Sequence, residues 1–111
     1  MSSSPISKVL FNKVAFIGLG LIGSSLARVI VAEQLATEIV ASTRSKKTLE
    51  DAKALGLIQH GYENPVDAVQ GADLIVLALP VRATQKVLEQ IKPYLSDNVI
   101  ITDVGSTKGN V

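Results

Sequence analysis

The 111-residue chain has no cysteine, no tryptophan, one histidine and one methionine. Without cysteine there is no disulfide framework, no thiolate metal site and no sulfur nucleophile, which fits a reducing compartment. A single histidine leaves little for a metal centre and offers few general bases. Charge of one sign is also missing: eleven basic and ten acidic residues give a net charge of +1. No basic block is long enough to form a nucleic-acid or anionic-membrane surface, so any charge-based function is local. No apolar run approaches the ~20 residues a membrane span needs. The opening "MSSSPISKVLFNK" lacks the basic and apolar regions of a signal peptide. A cytoplasmic protein with no membrane or nucleic-acid partner is expected, with residues 1–12 as a flexible tail and 13–111 as the folded domain.

Apolar material, by contrast, is plentiful. Hydrophobic residues make up 47% of the chain, and the mean hydropathy of +0.34 is high enough to suggest apolar surface that another body covers. "KVAFIG" (13–18), "EIVAS" (38–42), "ADLIVLALP" (72–80) and "NVIITD" (98–103) are short apolar runs, and Val99–Ile101 reads as a strand buried on both faces. Between them lie helical patterns at 21–35, 45–56 and 81–95. In the second of these Leu49, Ala52 and Leu55 share one side and Gly56 is a plausible stop. In the third, Val87, Leu88 and Ile91 face inward until Pro93. Residues 57–64 are weakly patterned, with room for a short strand, and Asn64-Pro65 reads as the cap and first turn of a small helix over 65–70. Strands alternating with helices, and apolar throughout, predict an α/β fold. The expected form is a doubly wound, Rossmann-type parallel sheet of order 3-2-1-4-5 with helices on both faces.

The chemistry-bearing pattern is "GLGLIG". Gly18, Gly20 and Gly23 match G-x-G-x-x-G between a predicted strand and a predicted helix. The first glycine permits a tight turn, the second lets backbone approach a pyrophosphate, and the third lets helix pack closely on strand. Phosphates would rest on the free amides of the first helical turn, including those of Leu21 and Ile22, where the helix dipole favours negative charge. About twenty residues further on, an Asp or Glu usually holds the ribose 2′-hydroxyl of NAD. Here the segment is "STRSKK" (42–47), with no carboxylate. A guanidinium can grip a 2′-phosphate in a bidentate fashion, and hydroxyls can donate to it. NADP is therefore the expected preference and NAD a possible second cofactor, with Arg44 the main contact and Ser42, Thr43 and Ser45 helping. The alternative is an ordinary solvated helix start.

Leu79-Pro80 closes the fourth strand where a nicotinamide ribose usually passes, although proline also commonly opens helices. Asp103 and Ser106 follow the fifth strand, near the expected place of the nicotinamide. A serine hydroxyl there could bond a substrate oxygen, yet both residues also suit a turn and a helix cap. Lys108 is equally ambiguous. His60 falls in the weak segment at the far edge of the sheet and is read as a surface loop residue. No residue of the chain is a well-placed general base for removing a hydroxyl proton.

Taken together, "VAFIGLGLIGSSLA" (14–27), "DLIVLALPV" (73–81) and above all "TDVGSTKGNV" (102–111) resemble the nucleotide-binding domain of the prephenate/arogenate (cyclohexadienyl) dehydrogenases of tyrosine biosynthesis. The first two segments occur in many nicotinamide dehydrogenases; the third is more specific. The resemblance implies an oxidative decarboxylation in which hydride leaves the hydroxyl-bearing ring carbon for NAD(P)⁺ and loss of carboxylate aromatises the ring. It implies that Ser106 lies beside the substrate hydroxyl. It also implies that a catalytic histidine and a helical, dimer-forming C-terminal domain are absent from these residues. The expectation is thus a cofactor-binding fragment of a longer, homodimeric enzyme acting on prephenate or arogenate. A missing acid at Thr43 departs from the commoner pattern of that family. Two other readings are a β-hydroxyacid-dehydrogenase-like NADP oxidoreductase domain, whose strand-five motif differs, and a non-catalytic NADP-sensing module.

Overall fold

The structure, a computed structural model, describes residues 10–104. Its elements follow one another as β1 (Phe11–Ile17), α1 (Gly20–Glu33), β2 (Ala36–Ser42), α2 (Lys46–Ala54), β3 (His60–Tyr62), α3 (Pro65–Val69), β4 (Leu74–Leu77), α4 (Val81–Ile91) and β5 (Ile100–Asp103), with a 3-10 turn at Lys92–Tyr94. All pairings are parallel and the sheet order is β3-β2-β1-β4-β5, as expected.

Alternation along the central strands sends side chains to two separate cores. Val14 and Phe16 of β1, Ile39 and Ala41 of β2 and Leu74 and Val76 of β4 pack with Ala27 and Ile30 of α1 and Leu49 and Ala52 of α2. Their neighbours Ala15, Ile17, Val40, Ile75 and Leu77 pack instead with Ala68 and Val69 of α3 and with Val87, Leu88 and Ile91 of α4. Helices therefore cover both faces, which is why these strands read as unbroken apolar runs. Because the chain winds from β1 toward β3 and then crosses back to β4, α1 and α2 lie on one face and α3 and α4 on the other. A crevice follows between β1 and β4 at the strands' carboxyl edge.

Several boundaries differ from the sequence expectation. β1 begins at Phe11 rather than Lys13 because its amide, like that of Leu10, bonds to the carbonyl of Leu35. Phe11 and Asn12, expected before the folded domain, thus belong to β1. α1 stops at Glu33, where Gln34 takes the left-handed conformation and its N–H bonds to the carbonyls of Ile30 and Val31, closing the helix without a glycine. His60 lies in β3 rather than in a loop; it is exposed on the edge strand, 3.9 Å from Glu38.

Leu55 is the cap residue beyond α2, not part of its buried side, and is 62% exposed. The largest correction concerns β5. Ile100 and Ile101 are 54% and 39% exposed, not buried on both faces. β5 is an outer strand paired only with β4, so among the described residues nothing layers over much of its side-chain surface.

Phe16 is fully buried, whereas Leu55 is exposed. Phe16→Ala is expected to cost about 3–5 kcal/mol of stability and Leu55→Ala no more than about 0.5 kcal/mol. Denaturant unfolding of the two variants against the parent chain measures both.

Candidate functional site: a dinucleotide crevice

The strand register aligns the carboxyl ends of the sheet. Ile17 is level with Ser42 on one side and Leu77 on the other; Ser42 is level with Tyr62, and Leu77 with Asp103. Every loop leaving this edge opens on the same side of the molecule, so residues far apart in sequence meet there.

The glycine loop leaves the centre of that edge. Gly18 has φ +80°, and its N–H donates to the carbonyl of Ser42 at 2.7 Å. A Cβ on Gly18 would stand 2.6 Å from the carbonyl oxygen of Ala78 and 2.7 Å from Cδ2 of Leu79. Nothing but hydrogen fits. Gly23 lies one turn into α1, where a Cβ would approach that of Ala78 to 3.1 Å. It thus sets the spacing of helix and strand.

Gly20 differs from both: its φ is +53° and a Cβ would meet nothing within 4 Å. Its side is open space at the mouth of the helix, the cradle a Cβ would narrow. The amino end of α1 has no side-chain cap and no acid in its first turn. By contrast, Ser45 caps α2 and Asn64 caps α3. The opening amides of α1, with Leu21 and Ile22 in this turn, are thus without the side-chain acceptor those helices carry. This geometry fits a diphosphate.

Beside the loop lies a crevice of about 460 Å³ lined by Ile17, Gly18, Ser42, Thr43, Arg44, Glu63, Pro65, Leu79, Pro80, Ala83, Val87 and Gln90. It has apolar walls, from Leu79, Pro80, Ala83, Val87 and Pro65, and a polar end at the β2–α2 turn. Ser42 is buried there. The Thr43 hydroxyl accepts from the Ser45 amide at 2.9 Å, and the Ser45 hydroxyl from that of Thr48 at 3.2 Å. These bonds hold the turn, and each hydroxyl retains its proton for another acceptor. Arg44 is exposed and, among the described residues, has no ion-pair partner.

The structure brings most of the expected site residues together: Gly18, Ser42, Thr43, Arg44, Leu79 and Pro80 line the crevice. Gly20, Leu21, Ile22 and Gly23 form the adjoining first turn, and Ser45 adjoins the lining as the cap of α2. Asp103 sits at the same edge, level with Leu77, but does not line the crevice. Ser106 and Lys108 lie outside the described residues.

Several contributors escape a sequence reading. Thr84 is buried, and its hydroxyl donates toward the carbonyls of Leu79 and Pro80 at 3.3 and 3.1 Å, holding the turn that forms one wall. Glu63 brings a carboxylate to the polar end from the β3–α3 connection and pairs with Lys46 at 3.2 Å. A second hollow, of about 490 Å³, lies at the opposite edge of the sheet among Leu10, Phe11, Asp73, Asp97 and Asn98. It has no glycine loop, and Asp73 there already accepts the Asn12 amide at 2.7 Å.

The prephenate dehydrogenase nucleotide-binding domain family matches residues 26–111. The chain belongs to that family. It is 41% identical over 101 residues to the cyclohexadienyl dehydrogenase of Zymomonas mobilis, covering 91% of this chain and 34% of that protein. To the prephenate dehydrogenase of Lactococcus lactis it is also 41% identical over 101 residues, covering 90% of this chain and 28% of the relative. A solved prephenate dehydrogenase from Aquifex aeolicus, in complex with hydroxyphenyl propionate and NAD⁺, superposes with a TM-score of 0.77 at 26% identity over 88% of this chain and 35% of that one. The chain thus spans about a third of the length of these relatives. Membership of this family disfavours the β-hydroxyacid dehydrogenase alternative.

The two glycines predict different failures. Gly18→Ala drives a methyl into backbone and is expected to destabilise the fold by more than 2 kcal/mol, on the order of a severe steric lesion. Gly20→Ala strains the left-handed conformation by about 1 kcal/mol and leaves a folded domain with impaired dinucleotide binding. Melting curves with and without NADP and NAD separate the two.

Proposed function

We propose that this chain is the cofactor-binding part of a prephenate or arogenate dehydrogenase and that it prefers NADP, with NAD as a second cofactor. The observation that carries the cofactor reading is the juxtaposition of an uncapped helix mouth at Gly20 with a crevice whose polar end holds Arg44, an exposed cation with no ion-pair partner among the described residues. The diphosphate rests on the amides of residues 20–23. The adenosine lies between the apolar wall of Leu79, Ala83 and Val87 and the β2–α2 turn, and Arg44 meets the 2′-phosphate with Thr43 and Ser45 donating beside it. Ser42, being buried, shapes the floor.

When bound, the nicotinamide supplies the acceptor for the hydride lost by the substrate's hydroxyl-bearing carbon; loss of carboxylate as carbon dioxide then completes an aromatic ring. The described residues contribute binding and orientation: the turn held by Thr84 fixes Leu79 and Pro80 where the nicotinamide ribose passes, and Asp103 stands at the same strand edge. Ser106 is assigned to the substrate hydroxyl by its place in "DVGSTK". A general base is expected from residues other than those described, since the one histidine, His60, lies on the outer edge strand. Among the described residues no helix is long and apolar enough to cross a membrane; the role proposed is biosynthetic and cytoplasmic.

Arg44→Ala is expected to weaken NADP by about tenfold to a hundredfold, the scale of losing charge-assisted hydrogen bonds, and NAD by much less. Calorimetric titration with both cofactors checks this; equal losses would remove the NADP assignment. The 111-residue chain is further expected to bind NADP without turning over prephenate or arogenate, as followed by absorbance of the reduced cofactor.

A further inference from the structure

The crevice carries one charged group that the dinucleotide reading does not use. Glu63 lies just beyond β3, and the pairing of Ser42 with Tyr62 sets it alongside the turn that holds Thr43 and Arg44. Its carboxylate is 3.2 Å from the ammonium of Lys46, and both side chains are exposed. Lys46 and Lys47 open α2, whose first turn contains no acid. Cations at a helix amino end work against the helix dipole. Glu63 is thus the compensating charge for Lys46, in an exposed pair that is readily broken when a stronger anion arrives.

We propose that Glu63 sets how strongly this site prefers NADP over NAD: it engages Lys46 and faces the 2′ position beside Arg44, opposing a 2′-phosphate while accommodating a 2′-hydroxyl. This rests on the reading that the adenosine end of the dinucleotide lies against Arg44. The polar end of the crevice holds the cation Arg44 and the carboxylate of Glu63, and Glu63 also borders the neighbouring hollow from which Lys46 reaches it. A bound 2′-phosphate competes with Glu63 for Lys46 and is repelled by Glu63 itself. A 2′-hydroxyl carries no charge, feels neither effect, and can donate to a carboxylate. The chain lacks the usual acid at the end of β2 and supplies one instead from the neighbouring strand's exit. The site is thereby predisposed to use both cofactors rather than to exclude NAD.

The test is titration of the full chain with NADP and NAD for Glu63→Gln, Lys46→Gln, the double variant and Arg44→Ala. Glu63→Gln is expected to tighten NADP by roughly threefold to tenfold at low salt, the range for one partly screened charge near another. NAD should change by less than about twofold, since the glutamine amide oxygen still accepts from the 2′-hydroxyl. Lys46→Gln should weaken NADP, and in the double variant most of the gain from Glu63→Gln should disappear. The substitutions are isosteric or exposed, so melting temperatures should stay near that of the parent and report intact folding. If Arg44→Ala discriminates against NADP but Glu63→Gln leaves the NADP-to-NAD ratio unchanged, the role of Glu63 is overturned and the Arg44 reading stands. If Arg44→Ala weakens both cofactors equally, the reading of the crevice has failed and this inference falls with it.

Discussion

At the middle of the sheet's carboxyl edge, β1 ends in a turn pressed so tightly against the end of β4 that only a glycine can stand there. The Gly18 amide bonds to Ser42 at the end of β2, the Ala78 amide bonds to Ile17 at the end of β1, and the space a side chain would need at Gly18 is filled by backbone of Ala78. Three strands are thus joined within a few residues, and the direction in which α1 departs is set by the same contact. The open mouth at Gly20, the crevice beside it and the position of Arg44 all follow from that close approach. Were the turn looser, the helix would move off the sheet and its opening amides would no longer face the crevice.

The two-faced core supports this arrangement. With Phe16 and Val76 packed on one face and Ile17 and Leu77 on the other, the central strands have no soft side toward which the loop could relax. Rigid strands ending in short loops place binding groups accurately while leaving those groups exposed to solvent and ligand. The outer strands are less constrained. β3 is three residues long and carries exposed His60, and β5 presents Ile100 and Ile101 outward. The exposure of these isoleucines, with that of Leu10, Ile22 and Val29, accounts for a mean hydropathy higher than the buried core alone requires.

How much of this was legible in the sequence depended on whether the signal was local. Apolar runs in β1, β2 and β4 were readable because burial on both faces leaves no polar positions. The glycine spacing was readable because positive φ and close approach leave few alternatives to glycine. For β5 the run locates the strand but not its burial, because an apolar run reports the composition of a strand, not whether anything lies on it. β3 was faint because His-Gly-Tyr has neither alternation nor apolar continuity, and its existence comes from pairing with Val40–Ser42. Glu63 was illegible as a site residue for a related reason: it reaches the crevice only through the register between β2 and β3, and the usual place to look for an acid is the end of β2 itself. Thr84 likewise shows its part only when its hydroxyl is seen bonded to the carbonyls of Leu79 and Pro80.

Whether the helix mouth beside Gly18 holds a dinucleotide diphosphate is read most directly by a backbone amide NMR titration of the chain with NADP. Large, saturable shifts are expected at Gly18, Gly20, Ile22 and Gly23, accompanied by shifts at Arg44, Ala83 and Val87 along the crevice. Unmoved glycine amides at saturation, or shifts confined to Asp73, Asn98 and the opposite edge of the sheet, would contradict diphosphate binding at the helix mouth.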